Sequence, residues 1–272
     1  MQENDQENRT FRLIDEAVTS EPIKNTFRLG WEFISLNKKF TVTAVVIFIL
    51  LNILGMIPAV AFIFMILSAI FGLALQIHIG KIFYLSENIQ SYVSKIEDSS
   101  VEAILNRHTS TSFGAYFGWV LLLLGFLFIL SILGGNMGLI TPNMNETELF
   151  NLLLILGFPF IIIALLLSYV HPLVQSNIFM ANGFREGFKA VFTIFSMDLW
   201  RLSMQKSYFK YLSLFGIVTL LFLFLFAFLI GIITTITGLA LLGNILLMIS
   251  MYVFMVMMAV GSMMARRVVE NK

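Results

Sequence analysis

The chain has no cysteine, five prolines and little charge: Asp, Glu, Lys and Arg together make 12% of its 272 residues. Without cysteine there are no disulfides, no thiolate nucleophile and no iron–sulfur cluster. A soluble domain carries about 25% charged residues, so the charge is roughly half of what a water-facing surface needs. What replaces it is apolar. Hydrophobic residues make 58% of the chain, with 28 Phe and 15 Met, and the mean hydropathy is +0.91. Four stretches contain no Asp, Glu, Lys or Arg: Phe40–Gly80, His108–Asn145, Leu149–Phe184 and Tyr211–Ala265, together 170 of 272 residues. That is more apolar chain than one soluble core can bury, and it implies a polytopic integral membrane protein.

A helix crossing the hydrocarbon core needs about 20 apolar residues at ~1.5 Å each. Phe40–Gly80 is two such lengths and must fold back, with the break signalled by Asn52, Gly55 and Pro58, the proline opening the second helix. The same reasoning divides the other runs and predicts six spans near 40–57, 59–80, 113–133, 149–170, 211–233 and 241–264. The expected fold class is all-α: a six-helix transmembrane domain over 40–265, an N-terminal region over 1–39 and a tail over 266–272. Closed β-barrels are excluded, because the segments are continuously apolar rather than alternating.

With six spans, all 17 Lys and Arg fall on one side, and the three opposite loops hold only Glu146 and Glu148 for charge. The positive-inside rule then predicts both termini in the cytoplasm. The bases are spread among acids, which favours anionic lipid over nucleic acid as their partner. Met1–Asn8 is acidic and polar and lacks the layout of a signal peptide. Asn145-Glu146-Thr147 is a glycosylation sequon on the outer side, with meaning only in a eukaryotic secretory pathway.

The basic side keeps a helical period between spans. Ile23, Phe27, Trp31 and Ile34 form one stripe, and Phe184, Phe188, Val191, Phe192 and Phe195 another. Both predict amphipathic helices, either lying in the headgroup plane with Phe27, Arg28, Trp31, Phe184, Arg185 and Phe188 at the lipid interface, or packed on the ends of the bundle. Ile82, Leu85, Ile89, Tyr92 and Ile96 follow 3-4-3-4 spacing, the seam of a short coiled coil, so the second span is expected to run on as one helix and to bury that seam against its own chain or a partner. A new helix should start at Ser99, with Glu102 at capping-box distance. Gly114 with Gly118, and Gly261 with Ala265, permit close helix approach; for both pairs a crossing within the chain is expected ahead of a dimer contact.

Chemistry is harder to find. No Asp, Glu, Lys or Arg lies inside a span, which disfavours proton relays, ion coupling and voltage sensing. The buried polar candidates are Asn52, Gln76, Asn151, Asn244 and Thr234-Thr235-Thr237. His78, His108 and His171 fall near the basic-side ends of spans, where a shared metal site would be geometrically possible, but no H-x-x-x-H supports one and His171-Pro172 reads as a helix terminator. There is no G-x-S-x-G, P-loop or H-E-x-x-H. No cofactor and no catalytic residue is expected.

Three motifs, Phe27-Arg28-Leu29-Gly30-Trp31 before the first span, the helix from Gly80-Lys81 to a polar linker, and Gly183-Phe184-Arg185-Glu186-Gly187-Phe188 before the fifth span, resemble those of uncharacterised six-helix prokaryotic inner-membrane families. Those families bear a likeness to the membrane domain attached to glycerophosphodiester phosphodiesterases. The resemblance spans Phe27–Arg267 by organisation and implies a lipid-facing accessory or scaffold role, with no catalytic residues to transfer.

Three functions are weighed: a non-enzymatic scaffold, assembly factor or accessory subunit in contact with lipid and with another membrane protein or a second copy; a transporter or flippase for apolar or amphipathic solutes; and an interfacial lipid-modifying enzyme drawing His78 and His171 together with Glu87 or Asp198. The topology has a direct test. A single Cys at Asn143 should react with an impermeant maleimide in intact cells and one at Gln205 should not, the cysteine-free background making the readout clean; labelling at both would sink the six-span arrangement.

Overall fold

The computed structural model describes residues 21–86, 88–136 and 146–270, with side chains for all of these except 130, 133–136, 146–160 and 240. These residues form helices and no strand. In chain order they are α1 (Pro22–Leu36), α2 (Lys38–Gly55), α3 (Ala61–Leu85), α4 (Ile89–Glu97), α5 (Val101–Asn136), α6 (Glu146–Met180), α7 (Gly183–Val191), a 3-10 turn (Phe192–Phe195), α8 (Met197–Ser203), α9 (Lys206–Thr237) and α10 (Ala240–Glu270). Six helices, α2, α3, α5, α6, α9 and α10, are long and apolar enough to cross a membrane. The protein is an all-α, multi-pass membrane protein.

Several boundaries move from their expected places. Pro58 lies in the turn before α3, which starts only at Ala61. The α9–α10 turn is made by Gly238 and Leu239, and the φ of 65° at Gly238 suits a residue without a Cβ. His171-Pro172 does not end the fourth span. The helix runs through it to Met180, because neighbouring helices stabilise a proline in a membrane span far better than water does. The second span does not run through the 3-4-3-4 seam as one helix. It stops at Leu85, breaks at Ser86 and restarts at Ile89 with the Asn88 side chain capping Ser91 N. The next helix is capped by Ser100, whose Oγ accepts from Ala103 N at 3.1 Å, rather than by Ser99.

The bundle centres on α3 and α10. α3 packs against α2, α5, α6 and α10, and α10 also receives α1 and α9. Among the described residues, the buried core lies toward the end that carries the bases. It takes in Phe71 to Phe83 of α3, Val170 to Phe179 of α6 and Tyr252 to Val269 of α10. Toward the other end the helices present apolar faces outward: on α9, Leu220, Leu221, Phe224, Leu225, Phe228 and Leu229 are all exposed. With six apolar spans, that surface faces lipid.

Hydrogen bonds to main-chain carbonyls lock the packed end. Asn37 joins α1 to α2, its Oδ1 accepting from Phe40 N at 2.9 Å. Its Nδ2 donates to the carbonyls of Ile96, Glu97 and Ser99 at 2.9, 3.1 and 3.0 Å. These carbonyls lie in the last turn of α4 and just past it, where helix geometry leaves acceptors short of main-chain donors; Ile96 O alone of the three also accepts from a main-chain N–H, that of Ser99 at 3.0 Å. Arg267 of α10 serves α3 in the same way, reaching the Phe83, Tyr84 and Ser86 carbonyls at 3.4 Å with its guanidinium over the Phe83 ring. Replacing Asn37 by Ala removes a cap and frees carbonyls in a half-buried site. It should cost about 1–3 kcal/mol, seen as a lower Tm in detergent, whereas Lys38→Ala at the exposed neighbour should leave Tm unchanged.

Candidate functional site

At the basic end α1, α4, α7, the 3-10 turn and α8 form a layer over the spanning helices. α1 lies on α10 through Thr26, Leu29, Gly30 and Phe33, all buried, and Gly30 admits the Met257 side chain of α10. The expected stripe is therefore offset. Ile23, Phe27 and Ile34 are half-buried at its margin, Arg28 is exposed, and Trp31 is 61% exposed on the outer face. Helical period alone cannot say which of two overlapping apolar faces meets the bundle. Here the small residues Thr26 and Gly30 mark it, since they let the backbones approach.

α4 is held through Tyr92 and Ile96, both buried, with the Tyr92 hydroxyl donating to Leu29 O at 3.0 Å. Burial pushes the Tyr92 pKa up, so the hydroxyl keeps the proton it donates. Ile82 is buried on α3 and Ile89 half-buried, but Leu85 is 58% exposed. The break at Ser86 divides the five seam positions between two helices, so they do not form one stripe.

α7 lies along α5 at the Gly114–Gly118 pair. A Cβ on Gly114 would run into the Phe184 carbonyl, one on Gly118 would press on Val191, and one on Gly187 would meet the Thr111 carbonyl. Glycines on both helices thus bring the two backbones together, and Gly183 N donates to Thr111 Oγ1 at 2.9 Å. Phe184 is 48% exposed, Arg185 exposed and Phe188 half-buried, both rings meeting Phe117. On α10, Gly261 receives the Phe215 ring and Ala265 is fully buried.

The three histidines divide. His78 Nδ1 and His108 Nε2 lie 3.3 Å apart, and His78 Nε2 lies 2.9 Å from Ser99 Oγ. His171 joins neither; it is 3.0 Å from Gln175 Nε2 and faces the Trp119 ring. Among the described residues, no three His, Asp or Glu side chains are grouped to hold a metal ion. Asp198 is exposed on α8, and Glu87 lies outside the described residues, as do Asn143 and the sequon's Asn145.

A groove of about 550 Å³ separates α6 from α9. The two helices meet where the Tyr208 hydroxyl donates to the Tyr169 carbonyl at 2.5 Å. The groove is walled by Leu167, His171, Leu212, Gly216 and Leu223 and floored by Phe254 and Met258 of α10. His171, Phe254 and Met258 also line a recess of about 90 Å³ with Gln76, Gln175 and Ser262. Sequence reasoning noted Gln76 but missed Gln175 and Thr219, since an isolated polar residue in an apolar run does not declare which helix it faces. No protein-family model, curated protein or solved structure matches the chain.

The α5–α7 contact can be tested through its glycines. Gly187→Leu should force α7 off α5 and lower stability by about 1–3 kcal/mol, with faster tryptic cleavage at Arg185 and Lys189. Gly125→Leu, at a position of α5 where a Cβ meets nothing within 4 Å, should leave both unchanged.

Proposed function

We propose that the protein is a non-enzymatic inner-membrane protein that acts by association, with both termini in the cytoplasm. Its helical layer lies against anionic headgroups of the cytoplasmic leaflet and holds there another membrane protein or a second copy of the chain. The positive-inside distribution supports the orientation, and the likeness to six-helix inner-membrane families supports the membrane.

The observation that carries the reading is the surface of α8 and its flanks. Phe195, Met197, Met204 and Phe209 are exposed by 69%, 82%, 77% and 60%, and Arg201, Lys206 and Lys210 are exposed among them. In water each such apolar side chain forgoes roughly 1.5–3 kcal/mol of burial. Sunk at the headgroup boundary the same residues gain it back, while each base draws anionic lipid with about 1 kcal/mol. Trp31, also exposed, suits the aromatic belt at the same boundary.

Two measurements test this. In a Trp119→Phe, Trp200→Phe background, Trp31 fluorescence should be quenched more by shallowly than by deeply brominated lipid. Native mass spectrometry from nanodiscs should find retained phosphatidylglycerol together with a partner or dimer, and Arg201→Gln with Lys206→Gln and Lys210→Gln should lower the lipid retained. A lipid-free monomer with unquenched Trp31 would overturn the proposal.

A further inference from the structure

Two neutral polar atoms at the α6–α9 groove have no use in the fold. The Thr219 side chain, on a residue 8% exposed, lines the groove, and its Oγ1 is buried without a hydrogen-bond partner. Elsewhere on α9 the threonines bond back to their own helix: Thr234, Thr235 and Thr237 donate to the carbonyls of Ile230, Gly231 and Ile233 at 2.8, 2.8 and 2.7 Å. Such back-bonding is the ordinary way to satisfy a helical hydroxyl, and Thr219 departs from it. Gln175, 7% exposed, lines the adjoining recess; its amide nitrogen is used on His171 Nε2, while its Oε1 is buried with no partner. A buried amide oxygen or hydroxyl without a partner costs about 1–3 kcal/mol, more than most surface interactions return.

We propose that the groove and its recess bind a neutral, hydroxyl-bearing lipid of the acylglycerol class, one acyl chain lying in the groove and the hydroxyl donating to Gln175 Oε1. The chemistry of the lining selects this occupant. The groove has the size of a small-molecule site, about 300–1,000 Å³, and its walls, Leu167, Leu212, Leu223, Phe254 and Met258 among them, match an aliphatic chain. Gly216 keeps it open, since a Cβ there would meet nothing within 4 Å. Neither lining contains Asp, Glu, Lys or Arg. A phosphate or ammonium headgroup would therefore enter without a counter-charge, at a cost far above that of a neutral hydroxyl that gains an acceptor. The unpartnered Gln175 oxygen requires a donor, and a hydrocarbon chain alone has none; a lipid alcohol supplies both the chain and the donor. The site is lined by spanning helices alone, and its test reads chain adducts rather than partner retention, so it stands or falls separately from the association proposed above.

The test uses the full-length protein in phosphatidylcholine nanodiscs with a diacylglycerol carrying a chain diazirine. Adducts should map by peptide mass spectrometry to Leu167–Pro172 and Leu212–Leu223. Unlabelled dioleoylglycerol should compete about tenfold better than dioleoylphosphatidylglycerol, the factor expected for one buried hydrogen bond. Gly216→Leu should fill the groove and abolish these adducts, while Gly231→Leu, at another open position on α9, should keep them. Gln175→Leu should retain chain labelling and erase the preference for the alcohol. Equal competition by the two lipids, or unchanged labelling of Gly216→Leu, would overturn the proposal and mean that the groove holds only bulk acyl chains.

Discussion

The structure depends on backbones coming close enough to touch. Between two helices in lipid there is no hydrophobic force to bring them together, because the acyl chains are as apolar as the side chains they would replace. What does gather them is dispersion at short range and hydrogen bonds that lipid cannot supply. Both need small residues at the crossing. Gly114 and Gly187 let α5 and α7 meet carbonyl against Cα, Gly80 takes the Phe179 ring and Gly261 the Phe215 ring. All four lie toward the basic end, and so does the core.

That placement divides the molecule along its length. At one end Asn37 and Arg267 close the helix termini of α4 and α3 from neighbouring elements, so cap, layer and bundle are held as one unit. At the other end α9 is held chiefly along α10 and turns its leucines and phenylalanines outward. The groove follows from the same asymmetry. α6 and α9 are joined at Tyr169 and Tyr208, and beyond that contact Gly216 faces open space instead of a partner.

How far the residues alone lead is set by which physical rule each feature obeys. Span number follows from exclusion of charge from hydrocarbon, a rule with a penalty large enough to leave clean gaps, and it could be read directly. Helix ends followed weaker rules. Ser86 interrupts α3 although no proline or glycine announces it, and Pro172 fails to interrupt α6 although it should in water. The face of α1 that docks on the bundle could not be chosen on apolar area alone: the stripe of Ile23, Phe27, Trp31 and Ile34 overlaps the buried Leu29 and Phe33, and the small Thr26 and Gly30 mark the docked side. Polar pairing was out of reach: His78 with His108, and His171 with Gln175, join residues whose facing depends on helix rotation.

The same reasoning accounts for the pattern Phe-Arg-x-Gly-aromatic that Phe27-Arg28-Leu29-Gly30-Trp31 and Phe184-Arg185-Glu186-Gly187-Phe188 share. In both, the arginine is exposed and the glycine two residues on is buried at a close crossing, with α10 in one case and α5 in the other. Two residues along a helix turn it by about 200°, so a base and a glycine at this spacing point to opposite sides. The aromatic residues flanking them fall at the margins between those sides, where one edge of the ring can pack and the other face outward. A short helix that must dock flat on a spanning helix and keep a charge outside has few ways to arrange five residues. The likeness therefore needs no duplication to explain it, and a shared docking requirement is sufficient cause.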